Sequence, residues 1–189
     1  MKLWTVQPPE VITIVENSGK FACDTALSEN YDDFHDAYLW LVQEMDKRDI
    51  YHPQNIQLPL WAWHTMDWKH KKPDFRCAGL GISKKQYVCI EFEIPDDQVL
   101  LSDHNHWHFV LNDSWFDDST CEKEFDEIHE WYDSLDTNKK EELKKKSWQK
   151  IFDVKPVYTD WLQTGRYIQA TFWELRKEMI TDVKYFVAK

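Results

Sequence analysis

The sequence predicts an α+β fold: a single compact domain in which a mixed, mostly antiparallel sheet is packed by helices and accompanied by a charged helical pair. Three observations support this prediction. Strand-like segments occur at the start, in the middle and at the end of the chain, and helical segments separate them at irregular intervals. The apolar content of 42% is sufficient for one core. Neither an internal repeat nor a low-complexity linker divides the chain, so residues 1–189 are expected to form one domain.

The N-terminal elements are predicted to be a strand, a short helix and a longer helix. Residues 2–7 have strand-like composition. Pro8-Pro9-Glu10 opens a helix that runs to about Asn17, because proline is tolerated where the first backbone N–H has no partner, and Ser18-Gly19 ends it. The clearest helix spans Asp32–Arg48, where apolar residues recur every three or four positions and the charges at both ends match the helix dipole.

Further strands are predicted in the middle and at the end of the chain, where the composition is strand-like. Tyr87–Ile94 has one apolar side and one mixed side, as expected of a half-buried strand. Pro95-Asp96-Asp97, which follows it, is predicted to be a turn. The predicted strands are Leu58–His64, Tyr87–Ile94, one that begins at Val99, Tyr167–Leu175 and Val183–Val187.

Two oppositely charged segments with helical spacing are predicted to form a helical pair over residues 119–152. Residues 113–136 contain ten acidic residues and one lysine, whereas residues 137–150 contain six lysines and two glutamates. One interpretation is a helical hairpin whose arms attract each other electrostatically. The alternative interpretation is that the acidic segment is a docking helix for another protein.

Composition and charge exclude several functional classes. The formal net charge is −11, whereas sequence-independent binding to DNA or RNA phosphates requires a basic face, so direct nucleic-acid binding of that kind is not expected. The chain has four glycines and neither a G-x-G-x-x-G nor a G-x-x-x-x-G-K-[ST] motif, which excludes the common phosphate-binding loops. An acidic chain suits a soluble protein or one that docks on a basic partner.

The sequence predicts a cytoplasmic location without membrane association. The chain contains no apolar stretch of about 18 residues, the length that a membrane-spanning helix needs. Its first residues lead directly into a strand-like segment, so no signal peptide is expected. The cysteines are isolated along the chain, which predicts reduced thiols rather than a disulfide framework. They are Cys23, Cys77, Cys89 and Cys121.

Tryptophan is the most unusual feature of the composition, with 11 residues, several of them in short aromatic blocks. An indole combines a large apolar body with one N–H group that needs a partner when it is buried. These blocks are predicted to build a core, a stacking cleft, or both. The cleft would belong to an enzyme or a nucleotide-binding domain. Its expected residues are Thr5, Gln7, Trp61, Trp63, Arg76, His108 and Glu174.

Within this expected cleft, individual side chains have candidate roles and alternatives. The guanidinium of Arg76 would bind a phosphate through two hydrogen bonds, or would instead form a structural pair with an aspartate such as Asp74. Glu174 and His108 are the candidate catalytic residues, with Glu174 acting as a general base or binding a ribose. The alternative for Glu174 is a solvent-facing position on an edge strand. The amides of Gln7 and Gln169, which lie in apolar strand contexts, would either brace the sheet or face a ligand.

Three alternating histidines, His104, His106 and His108, are a candidate metal-binding pattern. On a strand these side chains would all project from one face. Two of these imidazoles and a third ligand, such as Asp103 or His64, would hold zinc with one open position. The alternative is a hydrated surface turn whose histidines have no common role. We assign no metal site and name no cofactor from the sequence.

Short motifs distributed over nearly the whole chain indicate a family. The motifs are Trp4-Thr5-x-Gln7, Gly19, Ala37-Tyr38-x-Trp40-Leu41 with Met45 and Arg48, Pro59-x-Trp61-Ala62-Trp63, Pro73-Asp74-x-Arg76, Ile94-Pro95-Asp96, Leu100-Leu101-Ser102-Asp103, Trp107-His108-x-x-Leu111-Asn112 and Gln169-Ala170-Thr171-x-Trp173-Glu174. In these motifs the chain resembles an uncharacterised family of bacterial and phage proteins of similar length, which opens with W-T-x-Q. The resemblance implies a stand-alone cytosolic domain, often of mobile-element origin. Of the three alternating histidines, the family pattern includes only His108.

The order of the first elements is also similar to the opening of ADP-ribosyltransferase-like domains. These domains begin with a strand that carries a polar pair, a short helix that ends in glycine, a longer helix and a central strand. The resemblance implies that Glu174 is the late-strand glutamate of such a cleft. The sequence departs from the pattern because Thr5 and Gln7 stand where those enzymes usually place histidine or arginine. In addition, no E-x-E or Q-x-E motif ends at Glu174.

These observations predict a cytosolic accessory protein, of phage or mobile-element type, that acts by binding. The expected partner is a basic, nucleic-acid-handling protein of a host defence system, and the expected action is inhibition of the anti-CRISPR or anti-restriction type. The acidic segment would be the binding surface, through Glu124, Glu127 and Glu130. The alternative function is a nucleotide-binding or ADP-ribosyltransferase-like enzyme with a tryptophan-lined cleft. The sequence specifies neither the substrate nor the oligomeric state.

Overall fold

The computed structural model describes residues 1–24, 33–76, 84–117, 119–159 and 161–189. They form an α+β fold in which a six-stranded antiparallel sheet is packed by helices, so the predicted fold class is confirmed. The strands are β1 (Lys2–Gln7), β2 (Lys20–Ala22), β3 (Leu60–Met66), β4 (Gln86–Glu93), β5 (Leu100–Asp103), β6 (Val157–Tyr158), β7 (Gln163–Thr164), β8 (Tyr167–Phe172), β9 (Glu174–Arg176) and β10 (Ile180–Val187). The helices are α1 (Glu10–Ser18), α2 (His35–Asp46), α3 (His104–Leu111), α4 (Glu122–Asp133) and α5 (Thr137–Ser147). Each helix among the described residues is too short or too polar to cross a lipid bilayer.

The strand order of the main sheet is β10-β4-β1-β3-β8-β5, and each neighbouring pair is antiparallel. Trp63 of β3 lies opposite Trp4 of β1 and also opposite Gln169 of β8. Gln169 in turn lies opposite Ser102 of β5. Residues directly opposite each other in a sheet point to the same face. The sheet therefore carries these four side chains, from four different strands, in one row on one face.

The other face of the sheet forms the first of two apolar cores. Leu3, Phe92 and Phe172 are fully buried there, beneath α1 and the β2–β9 pair. Alternation along each strand directs these side chains away from the tryptophan-bearing face. Val15 of α1 and Leu175 of β9 complete this core.

The tryptophan-bearing face forms the second core with α2, α3 and a short 3-10 helix at Trp148–Phe152. Trp40 of α2 packs edge-to-face on Trp148, with ring centroids 5.3 Å apart. Trp107 of α3 packs against Trp61 of β3 at 5.4 Å. Several indoles from distant parts of the sequence thus meet in one core, and those of β3 lie at its margin.

Most predicted elements are confirmed with small changes at their ends. The first helix ends at Ser18, and Gly19 adopts the left-handed conformation with φ of 80°, as its predicted stop role requires. The second helix is shorter than predicted, since α2 covers His35–Asp46. Its predicted start at Asp32 lies outside the described residues, as does Cys77.

The interpretation of the alternating histidines as strand residues is wrong, because they lie in helix α3. The carboxylate of Asp103 caps this helix by accepting hydrogen bonds from the backbone N–H groups of Asn105 and His106, at 2.9 and 3.1 Å. On a helix, residues four apart share a face whereas residues two apart do not. His104 and His108 therefore project together, and His106 projects to another side.

The predicted strand Tyr167–Leu175 is also interrupted. Strand β8 ends at Phe172, and β9 begins at Glu174 after the buried Trp173. Strand β9 leaves the main sheet and pairs with β2, where Glu174 lies opposite Ala22. This change of partner carries Glu174 away from the face on which Gln169 lies.

The charged helical pair is present as α4 and α5. The hydroxyl of Tyr132 donates a hydrogen bond to the carbonyl oxygen of Lys140, and the Lys140 ammonium lies 3.5 Å from the Asp133 carboxylate. Lys144 is buried and pairs with Asp113 at 2.7 Å. Opposite charges thus meet at two places between the acidic segment and α5, whereas α4 itself has no buried side chain.

Candidate functional site

A concave site with converging aromatic and polar side chains lies between β3, β8 and α3; we name it the indole pocket. Its volume is about 280 Å³. Alternation along β3 places Trp61 and Trp63 on the same face, and helical spacing places His104 and His108 above them. The pocket is lined by Val6, Tyr38, Trp61, Ala62, Trp63, His104, Trp107, His108, Leu111 and Gln169.

The aromatic wall of the indole pocket is held by edge contacts between rings. Tyr38 of α2 packs edge-on against Trp61 at 6.2 Å and against Trp107 at 6.0 Å. Trp63 packs edge-on against the His104 ring at 5.0 Å. Such edge-to-face pairs fix the orientation of each ring. Alternate residues of a strand are about 7 Å apart, so Trp61 and Trp63 are neighbours along one wall of the pocket.

A hydrogen-bonded chain behind the wall sets the orientation of His104. The buried amide of Gln169 donates from Nε2 to the Ser102 hydroxyl at 3.2 Å, and its Oε1 lies 3.1 Å from Nδ1 of His104. An amide oxygen only accepts, so Nδ1 of His104 carries the hydrogen. Burial lowers the pKa of His104, so the ring is neutral at neutral pH. Its Nε2 is then a hydrogen-bond acceptor.

His108 is held in the same tautomer by a backbone contact. Its Nδ1 donates to the carbonyl oxygen of His104 at 3.0 Å, and the two rings pack edge-to-face with centroids 5.0 Å apart. A neutral His108 therefore also has Nε2 as its acceptor. Sequence reasoning selected His108 but gave His104 no role in the cleft and left out Tyr38 and Trp107. The position of Gln169 in an apolar strand predicts that its amide braces the sheet or faces a ligand, and Gln169 lines the pocket.

Thr5 and Gln7 brace the sheet instead of lining the pocket. The buried hydroxyl of Thr5 donates to the carbonyl oxygen of Trp61 at 2.7 Å, and the Gln7 amide donates to the Thr5 hydroxyl at 2.8 Å. These bonds join β1 to β3 at the base of the indole pocket. The two residues therefore support the wall from the opposite face of the sheet.

Arg76 and Glu174 lie away from the indole pocket. The guanidinium of Arg76 forms three hydrogen bonds to Asp74, at 2.9, 3.2 and 2.6 Å, and its side chain is 82% exposed. Glu174 forms an ion pair with Lys20 across the β2–β9 pair. Of the seven residues expected in one cleft, the structure brings together Trp61, Trp63 and His108, so the arrangement with all seven in one cleft is not found. The two candidate catalytic residues do not share a cavity.

The described residues contain no group of three histidine, cysteine or acidic side chains that could hold a metal ion. The carboxylate of Asp103 is occupied by backbone N–H groups, including that of Gly165 at 2.6 Å. His64 stacks on His70 with ring centroids 4.3 Å apart, outside the indole pocket. The two proposed third ligands therefore have other partners.

The three candidate partner-binding acids of α4 have different environments. Glu124 accepts hydrogen bonds from the backbone N–H and the hydroxyl of Thr120, both at 2.7 Å, so it stabilises the start of the helix. Glu127 lies 3.6 Å from the Lys123 ammonium, and Glu130 is exposed. Trp131, beside them, has 51% of its surface exposed. The helix thus presents acids together with one uncovered indole.

We expect the protein to lose stability on mild acidification, because burial lowers the pKa of His64, His104 and His106. In the unfolded chain these rings take up protons near pH 6.5, whereas the folded protein resists protonation until lower pH. The unfolding free energy should therefore fall as the pH decreases from about 7 to about 5. Urea unfolding at these two pH values tests this, and a constant or rising free energy on acidification contradicts it.

Comparison with known proteins gives the family. The chain belongs to the family described as "Domain of unknown function (DUF3841)", whose model matches residues 2–181. The resemblance to an uncharacterised family is therefore confirmed. Neither a comparison with curated proteins nor one with solved structures gives a match. The family description names no activity, so function has to be argued from the site.

Proposed function

We propose that the protein binds a nucleobase or nucleoside in the indole pocket. The observation that carries the proposal is that Trp61 and Trp63, on one face of β3, line the same pocket as His104, whose Nε2 is an acceptor. Bases stack on aromatic side chains in a largely sequence-tolerant way, with about 1–3 kcal/mol per base. The exocyclic amine or ring N–H of a base supplies the donor that a neutral imidazole accepts.

The charges around the pocket favour an uncharged ligand. Among the described residues that line it, none is lysine or arginine. The expected phosphate-binding side chain, Arg76, is paired with Asp74 elsewhere. With a net charge of −11, the protein repels phosphate groups at long range. A nucleoside therefore fits the pocket better than the corresponding nucleotide.

Calorimetric titration with adenosine, guanosine, cytidine, uridine and AMP tests this proposal. We expect 1:1 binding of at least one nucleoside and weaker binding of AMP than of adenosine. Trp63→Ala should reduce the affinity by at least about tenfold, since it removes one stacking surface. Trp131→Ala is the matched control, because this indole lies on α4 outside the pocket.

Two outcomes contradict the nucleoside proposal. One is the absence of saturable heat with all five compounds. The other is an equal loss of affinity in Trp63→Ala and Trp131→Ala, which would show that stacking in the pocket is not the cause.

As a second candidate function, we propose that α4 docks on a basic, nucleic-acid-handling protein of a host defence system, as an accessory inhibitor of phage or mobile-element type would. The observation that favours it is Trp131, 51% exposed among the acids of a helix that has no buried side chain. Exposed indoles are enriched among the residues that dominate binding energy at interfaces. Acidic side chains accelerate encounter with a basic site and orient the complex.

Charge reversal on α4 tests the inhibitor proposal. The triple variant Asp126→Lys, Glu127→Lys, Glu130→Lys avoids Glu124, whose loss would weaken the helix start. We expect the wild-type protein to inhibit DNA cleavage by a purified CRISPR or restriction nuclease in a salt-sensitive manner, and the triple variant to lose this inhibition. The control variant Glu16→Lys, Glu93→Lys, Asp97→Lys makes the same change in net charge at other exposed positions. Inhibition that survives in the α4 variant, or that is lost equally in both variants, contradicts the proposal.

A further inference from the structure

Strand β10 forms one edge of the six-stranded sheet, and its outer side is accessible. It pairs with β4 on one side, and no other described strand pairs with it on the other. Tyr185 and Val187 of this strand are 50% and 60% exposed. An exposed edge presents a row of backbone N–H and C=O groups to which another strand can add. The edge is therefore a template for a further strand.

The pairing of β10 with β4 determines which of its backbone groups point outward. In an antiparallel strand, the N–H and C=O of one residue point to the same side, and those of the next residue point to the opposite side. Ala188 directs both groups toward β4, with hydrogen bonds of 3.0 and 2.9 Å to the residues just before that strand. The register is regular from Asp182 onward. The residues whose backbone groups point away from β4 are therefore Val183, Tyr185 and Val187.

These outward groups are self-complementary in one register. Two identical strands related by a two-fold axis pair antiparallel, and hydrogen bonds form only between outward residues. With the axis at Tyr185, this residue lies opposite its own copy and Val183 lies opposite Val187, twice. Only this register pairs all three outward residues with one another. Moving the axis to Lys184 would place two lysines directly opposite each other, which is destabilising.

The side chains of the outward residues form one apolar row in this register. Val183 lies opposite Ile90 of β4 and packs against the first core, and Tyr185 and Val187 share its face of the sheet. Pairing about Tyr185 continues the row into the second copy. The exposed apolar surface of Tyr185 and Val187 is thereby covered, which favours association.

The charges at the two ends of β10 also match a second copy. Asp182, opposite Glu91 of β4, makes the first end acidic. Three exposed lysines lie at the other end, Lys84, Lys85 and Lys189. Antiparallel pairing brings the acidic end of one copy beside the basic end of the other, at both ends of the ladder. Edge lysines commonly discourage strand pairing, but in this arrangement they meet an acid of the second copy.

We propose that β10 pairs with β10 of a second copy of this chain, which gives a two-fold symmetric dimer and joins the two six-stranded sheets into one. The dimer goes beyond the nucleoside proposal and is independent of it. Strands β4 and β1 lie between β10 and β3, so the indole pocket stays open in both copies.

Sedimentation velocity over a series of protein concentrations tests the dimer, and two substitutions of Tyr185 test strand pairing. We expect a reversible equilibrium between monomer and dimer. Tyr185→Pro removes the backbone N–H at the two-fold axis and should abolish the dimer; the fold should remain, because this N–H points away from β4. Tyr185→Ala keeps the N–H and should still dimerise, although more weakly. Equal loss of the dimer in the two variants overturns the proposal, since side-chain contact would then be the cause.

Charge reversal at the acidic end provides a second test. Asp182→Lys places a lysine beside the basic end of the other copy and should raise the dissociation constant of the dimer about tenfold. Glu16→Lys makes the same change in charge at an exposed position of α1 and should leave this constant unchanged. A wild-type protein that is monomeric at every concentration overturns the proposal, as do equal effects of the two reversals. If Tyr185→Pro does not fold, the comparison of the two charge variants still decides.

Discussion

Replacing Asp103 with alanine should lower the free energy of unfolding by about 3–4 kcal/mol. Asp103 is completely buried, and its carboxylate accepts backbone hydrogen bonds from Asn105 and His106 at the start of α3 and from Gly165 before β8. Alanine leaves all three N–H groups without an acceptor inside the protein. Each buried donor that loses its partner has a cost of about 1–3 kcal/mol. The helix that supplies His104 and His108 to the indole pocket should also lose its orientation.

Chemical denaturation measures this loss, and a second helix start provides a matched control. Asp136 caps α5 in the same manner, by accepting from the backbone N–H of Lys139 at 3.0 Å, but it is exposed. Asp136→Ala should therefore cost only about 0.5–1 kcal/mol. Equal losses in the two variants would show that burial of the Asp103 carboxylate is not the cause.

Replacing Glu44 with alanine should lower the free energy of unfolding by about 2–3 kcal/mol. Glu44 is buried in α2, and its carboxylate accepts from Lys47 at 2.7 Å and from Arg48 at 2.5 Å. Arg48 also donates to Gln149 at 3.0 Å and covers the ring of Phe152, so it links α2 to the 3-10 helix. Without Glu44, the half-buried guanidinium loses its main anionic partner and this link weakens. The expected loss is below that of a fully buried pair because both cations reach solvent.

Two variants separate this ion pair from general effects of substitution. Glu44→Gln keeps an acceptor oxygen for Arg48 and should cost about half as much as Glu44→Ala. Glu127→Ala removes an exposed pair with Lys123 and should change the unfolding free energy by less than about 0.5 kcal/mol. The explanation fails if the Glu44 and Glu127 variants lose similar stability in urea.

Elements with strong local signals were predictable from the sequence. Strand β1 coincides with the predicted residues 2–7, and Gly19 ends α1 because only a residue tolerant of positive φ fits there. The alternation of Tyr87–Ile94 predicted β4 to within one residue at each end. The charge reversal between two helical segments predicted α4 and α5. In each case, the sequence pattern that predicts the element lies within the residues that form it.

The prediction failed where two local patterns competed or where strand pairing decided the outcome. The alternating histidines have the two-residue period of a strand. The segment is nevertheless helical, because Asp103 caps it and Trp107 and Val110 are buried. The aspartate that directly precedes the histidines was a usable signal for this helix start. Glu174 was predicted to lie in one strand, Tyr167–Leu175, but it belongs to β9, whose partner, strand β2, is more than 150 residues away in the sequence. No local pattern predicts a pairing over that distance.

The sequence by itself determined the fold class, the aromatic character of the core and the acidity of α4, because these properties follow from composition and from periodicities of a few residues. Only the tertiary structure decided which chemical groups face each other. Strand register placed Gln169 between Trp63 and Ser102, and the rotation of α3 sent His104 to one cavity and His106 to another. The physical reason is that a site depends on distances between segments, and these are set by packing of the whole chain rather than by neighbouring residues.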